Sequence, residues 1–162
     1  LSELICDTTV VQYLHQLHLL HILPALGSPV ILPEAVVVEL EQGRAKGIDL
    51  PDLSALDWLA IRTASVKPRL SQAADLGPGE SEVLWLAWER PNSIAVLDDA
   101  AARQQAFECG IRMTGTLGLL VDAKRQGLIP AVSPALDQLA RLGFYLSART
   151  RTLILRHAGE AS

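Results

Sequence analysis

Residues 93–114 read "SIAVLDDAAARQQAFECGIRMT". "SIAVL" is an apolar run of strand length, and the aspartates Asp98 and Asp99 end it. A helical stretch follows and stops at Gly110, after which "IRMT" reads as a second short strand. A strand, a helix and another strand, joined without a hairpin turn, form the crossover unit of a parallel sheet.

Working outward, the same alternation covers most of the chain. "ELIC" (3–6) reads as a strand, and Thr8 to about Leu26 as a helix interrupted near Pro24. "SPVIL" is a short strand, and "PEAVVVELEQG" a helix opened by Pro33 and closed at Gly43. "WLAIRTA" reads as a strand and "GPGESEVLWLAWER" as a turn followed by a helix. From Thr116 to Ala158 the pattern is helical, with breaks expected at Gly127, Pro130, Pro134 and Gly143. Alternating strands and helices predict an α/β fold, a parallel sheet with helices on both faces. No internal repeat or linker divides the chain, so one domain is expected over 1–162, a core at about 3–130 with a helical extension at about 131–160.

At 162 residues and 49% hydrophobic, the chain can bury a substantial core. Its apolar runs fall short of the roughly 20 residues that span a bilayer, and no export signal is visible. Cys6 and Cys109 form no disulfide framework or metal motif, and are expected as two reduced, mostly buried thiols of a cytoplasmic protein. The net charge of −4 argues against a general attraction to nucleic acid while leaving room for a local basic patch.

In parallel sheets the functional crevice lies beyond the carboxyl ends of the strands. Asp7 closes the first strand there, as Asp98 and Asp99 close "SIAVL". Glu39, Glu80 and Glu82 sit in the early parts of helices. Glu39 lies more than a turn into its helix, where the helix dipole gives it little, and at about 100° per residue it shares the inward face of Ala35 and Val36. A carboxylate at a buried edge needs a partner, yet Arg44, Lys46 and Arg90 all fall past the expected helix ends. A divalent cation would answer these charges together. All-oxygen ligands suit Mg2+ or Mn2+, and such ions serve phosphate-ester hydrolysis. A haloacid-dehalogenase-type phosphatase needs a second acid at position 9, which is Thr9, and the acidic pair of a response-regulator receiver stands earlier than "DD" does here.

The pieces "CDTTVV", "LPEAVVVEL", "GPGESEVLWLA" and "LDDAAARQQAFECGIRMTGTLGLLVDAKRQGLI", in that order over nearly the whole chain, resemble the PIN-domain superfamily, and within it a branch related to VapC-type toxin ribonucleases. The resemblance implies a three-layer α/β/α sandwich with a parallel sheet in the order 3-2-1-4-5. It implies a metal-dependent endoribonuclease, the toxin of a toxin–antitoxin pair, with RNA as substrate, an antitoxin as partner and Mg2+ or Mn2+ as cofactor. Carried over, Asp7, Glu39, Glu82 and Asp99 match the four acids, with Glu80 and Asp98 as the alternatives to the last two. Thr8 or Thr9, and Thr114 or Thr116, are expected to hydrogen-bond an acid or a phosphate. Relatives commonly form homodimers, for which "LGLLVDAK" and "YLSARTRTLILRHAG" offer an apolar surface. A PIN-like module that binds RNA or protein without cutting is the rival.

The remaining motifs carry less. His15, His18 and His21 drift around a helix by about 60° per step, so one zinc could not take all three. Trp58, Trp85 and Trp88 lie in apolar surroundings and are expected in the core or an interface. Arg141, Arg149, Arg151 and Arg156 form the late positive group, either a basic patch or a solvated helix face.

Overall fold

The computed structural model describes residues 1–68, 70 and 75–160. A parallel five-stranded sheet takes the order β3-β2-β1-β4-β5. Its strands are β1 (Glu3–Cys6), β2 (Val30–Pro33), β3 (Leu59–Arg62), β4 (Ser93–Val96) and β5 (Met113–Thr114). Around it lie α1 (Thr8–Gln16), α2 (Ile22–Leu26), α3 (Glu34–Ala45), α4 (Pro78–Glu89), α5 (Ala100–Glu108), α6 (Thr116–Arg125), α7 (Ser133–Arg141) and α8 (Ala148–His157). This is the α/β/α arrangement, with strand order reversing between β1 and β4.

The central strands are short and almost wholly apolar because both of their faces are covered. β1 pairs Leu4 with Val30 and Ile5 with Ile31 on one side, and with Ile94 and Ala95 on the other. Leu4, Ile5, Cys6, Val30, Ile31 and Leu32 are all buried. At the edge, β3 turns Ile61 and Arg62 to solvent. On the helical side, α4 packs against β1, β2 and β4 and touches α3 and α5, while α6 meets α1, α2, α8 and β5.

The expected helix from Thr8 to Leu26 is two helices, and the break is not at Pro24. The chain turns where His18 adopts φ 59°, with Leu19 N–H donating to Leu14 O at 2.8 Å. Pro24 lies in the first turn of α2, where a missing N–H costs no helical bond. Pro134 likewise sits in the first turn of α7 rather than at a break. Pro33 ends β2 and caps α3 instead of opening it. Nor does Gly43 stop α3, which runs on to Ala45 and so takes in Arg44. A Cβ at Gly43 would stand 2.7 Å from Leu50 Cδ1, so the glycine serves packing there.

Helix α7 joins the same core through Val132, Leu136 and Leu139, and α8 packs against it with partly buried Ile154 and Leu155. Glu160 fastens the end of the chain, accepting from Val132 N at 2.6 Å and Ser133 N at 3.1 Å and pairing with Lys124 at 3.1 Å. Of the two thiols, Cys6 is buried as expected, but Cys109 is exposed because it follows α5 at a turn. Trp58 and Trp85 pack against the core, whereas Trp88 is half exposed. Arg151 pairs with Asp137 at 2.8 Å on the surface of the final helices, while Arg141, Arg149 and Arg156 are exposed. His18 and His21 are exposed and His15 pairs with Asp49. Among the described residues no helix is long and apolar enough to cross a membrane.

Candidate active site

The reversal in strand order opens the carboxyl edge of the sheet between β1 and β4, and several helices begin on that edge. Asp7 follows β1 directly and is the N-cap residue of α1, though its side chain makes no capping bond to the helix. It is 2% exposed. Burial pushes its carboxyl up to about 7, opposed by the Thr8 amide and reinforced by the negative charges of Glu80, Glu39 and Asp98. The strand register thus places one acid in a low-dielectric pocket facing three others.

Glu39 reaches this pocket from the second turn of α3. Its Oε2 accepts from Thr8 Oγ1 at 2.5 Å and its Oε1 from Gly79 N at 2.9 Å, so it spans from the start of α1 to the start of α4. Gly79 makes the approach possible, since a Cβ there would lie 2.6 Å from Glu39 Oε1. Glu80 stands in the first turn of α4 and, among the described residues, accepts a long 3.4 Å contact from Gly77 N. Its carboxyl is raised by burial and by Asp99, opposed by the Gly77 amide, with Glu39 and Asp75 adding to the rise. The other glutamate of this helix is occupied differently. Buried Glu82 accepts from Ala35 N at 2.9 Å and so caps α3. Of the pair, Glu80 is the acid that Asp7 feels.

The aspartate pair also divides. Asp98 is held on both oxygens by Thr116, from its N–H at 2.8 Å and its hydroxyl at 2.6 Å. Asp99 is exposed and caps α5 through a 2.9 Å bond from Ala102 N. Asp98 acts on Asp7, and Asp99 on Glu80. Of the four threonines expected to assist, Thr8 and Thr116 bind acids. Thr9 is exposed on α1, and the Thr114 hydroxyl lies in the space left by Gly118.

Four of these acids therefore accept from the amino end of a helix: Glu82 at α3, Glu39 at α4, Asp99 at α5 and Asp98 at α6. Partial positive charge at those ends makes a dense acidic edge tolerable. It does not neutralise the edge. Among the described residues none of Asp7, Glu39, Glu80, Glu82, Asp98 and Asp99 joins a salt bridge. Nor, among the described residues, do three His, Cys, Asp or Glu side chains close on one point as metal ligands do. Neighbouring carboxylates raise the proton affinity of Asp7 and Glu80, while Glu39, Glu82, Asp98 and Asp99 are turned to helix amides and, for Glu39 and Asp98, to threonines as well. By donor chemistry the set still fits a hard divalent cation, because it is all oxygen and leaves unbalanced negative charge.

Sequence reasoning did not single out Gly79 or Asp75, and Gly115 entered it only as the residue between Thr114 and Thr116. Gly79 had a signal, standing directly before Glu80, whereas Asp75 enters through its effect on Glu80.

No curated protein matches the chain. A solved structure, the PilT N-terminus domain protein SSO1118 from the hyperthermophilic archaeon Sulfolobus solfataricus P2, is similar with a TM-score of 0.56 at 23% identity, covering 75% of this chain and 92% of that one. That likeness is one of fold. The family model described as a PIN domain (DUF3368) matches residues 3–160. With the match spanning almost the whole length and the sheet order in agreement, the chain belongs to the PIN-domain family.

Proposed function

We propose that the chain is a PIN-type endoribonuclease that hydrolyses RNA phosphodiester bonds with Mg2+ or Mn2+. The PIN domain is a nuclease-type fold, and one observation carries the finer reading. Asp7, Glu39, Glu80, Asp98 and Asp99 share the carboxyl edge of the sheet, and among the described residues no cationic side chain pairs with any of them. Asp7, Glu39, Glu80 and Asp98 would hold the ion, with Asp99 beside them and Glu82 as a brace. A bound divalent cation supplies charge neutralisation and a water activated for attack on phosphorus.

The chain's own groups prepare the rest. Thr8 and Gly79 fix the direction of Glu39, and Thr116 fixes Asp98, so acids brought in by different elements are held at one edge of the sheet. In hydrolysis the water oxygen bonds to phosphorus, the bond to the leaving ribose oxygen breaks, and a proton must leave the water. That proton would pass to solvent or to the leaving ribose oxygen, because a carboxylate that holds the ion has its own proton affinity lowered by it.

A cytoplasmic toxin of a toxin–antitoxin pair, acting as a homodimer, is the biological setting we favour. Of the two segments proposed to pair, Leu119, Leu120 and Val121 are buried in their own core, leaving Tyr145 and Leu153 as exposed apolar groups. The test of activity is cleavage of a panel of single-stranded and structured RNAs with Mn2+, with EDTA, and by the Asp7→Asn variant. Metal-dependent cleavage lost in the variant is the expected result. Intact RNA throughout, with metal present, would favour a module that binds without cutting.

A further inference from the structure

Beside the acidic edge, α5 presents a second set of side chains. Arg103, Gln104 and Phe107 recur at the spacing that aligns residues on one helix face. With Asp98, Ala100 and Met113 they line an open groove of about 560 Å³. Asp98 belongs both to this groove and to the acid cluster, so the two are continuous. α5 buries Ala102, Gln105 and Ala106. Phe107 is turned the other way and is 72% exposed, an unusual expense of apolar surface for a side chain that adds nothing to the core.

Arg103 is held as firmly as Phe107 is exposed. Its Nη1 donates to Leu97 O at 2.9 Å, and a Cβ at Gly115 would stand 3.0 Å from that nitrogen and 2.8 Å from Asp98 Oδ1. The missing side chain at position 115 leaves room for both the guanidinium and Asp98. Arg103 forms no salt bridge among the described residues, so a half-buried cation beside an acidic site keeps its charge and its other N–H donors available. Along the helix axis the backbone positions of Arg103 and Phe107 are about 6 Å apart. That is close to the reach from a phosphate to the base of the same nucleotide.

We propose that this face of α5 seats the nucleotide next to the scissile phosphate of a single-stranded RNA, its base stacked on Phe107 and its phosphate held by Arg103. The inference rests on the ribonuclease reading and adds the path of the strand, which leaves the acids and runs along α5. An aromatic face with a cation near it is how single strands are gripped without regard to sequence. A base engaged in a duplex could not offer its face to Phe107, so the groove selects unpaired RNA. In a chain of net charge −4, a fixed local cation is what the phosphate needs.

The experiment measures binding and cleavage of one short fluorescein-labelled oligoribonucleotide of mixed sequence. Binding is read by anisotropy with Ca2+ in place of Mn2+, and cleavage with Mn2+. Phe107→Ala is expected to weaken binding roughly tenfold, the share of one stacked base, and to raise KM more than it lowers kcat, while Phe107→Trp restores both. Arg103→Gln is expected to reduce the dependence of log Kd on log salt by about 0.7, one phosphate contact on a single strand, and Arg103→Lys to keep that contact. Melting temperatures identify a variant that has merely lost its fold, and exposed Phe107 gives one whose fold does not depend on the side chain. If Mn2+-dependent cleavage is present and Phe107→Ala leaves Kd and KM unchanged, the groove is refuted and the ribonuclease reading stands. Should Phe107→Ala weaken binding of an oligonucleotide that no metal causes to be cut, the groove stands and hydrolysis falls. Absence of both binding and cleavage overturns both.

Discussion

Replacing Asp7 by asparagine removes a charge from a carboxyl that is 2% exposed and faces three other acids. The folded protein raises this group from 3.8 to about 7. At about 1.36 kcal/mol per pH unit, holding it ionised in the fold costs about 4 kcal/mol once the pH is above both values. The folded state binds the proton more tightly than the unfolded chain does. The associated stability is therefore fully present below about pH 4 and is lost as pH rises through about 7. Asparagine avoids that loss, though its amide needs partners in a pocket built for a carboxylate, so only part is recovered. The quantity to measure is the stability of Asp7→Asn minus that of the parent, by urea unfolding in EDTA. We expect it to be about 2–3 kcal/mol more favourable near pH 8 than near pH 5, or roughly 5–10 °C in melting temperature for a chain of this size. An aspartate that serves only as a cap predicts a loss of about 1 kcal/mol at both pH values. A difference between variant and parent that stays flat across this range would refute the reasoning. Mn2+ gives an independent check: at about 100 times its dissociation constant it adds roughly 2.7 kcal/mol to the parent, and much less to the variant.

The two glutamates of α4 should part company: Glu82→Ala is expected to cost about 1–3 kcal/mol because it uncaps α3 and leaves the half-buried Ala35 amide without its acceptor, while Glu80→Gln leaves stability equal or higher and reduces the melting shift caused by Mn2+. Chemical denaturation with and without the metal distinguishes them. Gly79→Ala places a carbon 2.6 Å from Glu39 Oε1 and should destabilise by about 1–3 kcal/mol, with loss of activity although no acid has changed. Thr116→Val removes the 2.6 Å hydroxyl bond to Asp98 and should lower kcat more than it raises KM in an RNA cleavage assay. A thiol reagent should modify one cysteine in the native protein, the exposed Cys109, and both after unfolding, because burial and then Asp7 hold the Cys6 thiol far above its usual range.

The sheet and its acidic edge were legible because each depends on a pattern local in sequence. Asp7 and Asp98 stand just beyond apolar runs of strand length, and alternation with helices makes the strands parallel. Glu39 was legible from its angular place among valines. The choice between Glu80 and Glu82 was not. Helix α4 is apolar around most of its circumference, burying Val83, Leu84, Leu86 and Ala87, so its periodicity does not say which glutamate faces the sheet edge and which faces α3. "DD" had the same ambiguity, resolved by a residue far along the chain when Thr116 takes Asp98 and leaves Asp99 to its own helix. The turn after α1 was missed because a histidine at positive φ announces nothing in sequence, while the nearby proline announces a break that its place in the first turn makes unnecessary.

The acids' habit of resting on the starts of helices has a spectroscopic consequence. The amide protons of Ala35, Gly79, Ala102 and Thr116 point one each at Glu82, Glu39, Asp99 and Asp98. Each amide belongs to a different helix, and a change of charge or position at its acid alters the field along that N–H bond. In an 15N-labelled sample these cross-peaks serve as separate gauges of the separate carboxylates. Followed through a Mn2+-free titration with Mg2+, they report which acids exchange an amide for the ion and which stay in place, with no RNA in the tube.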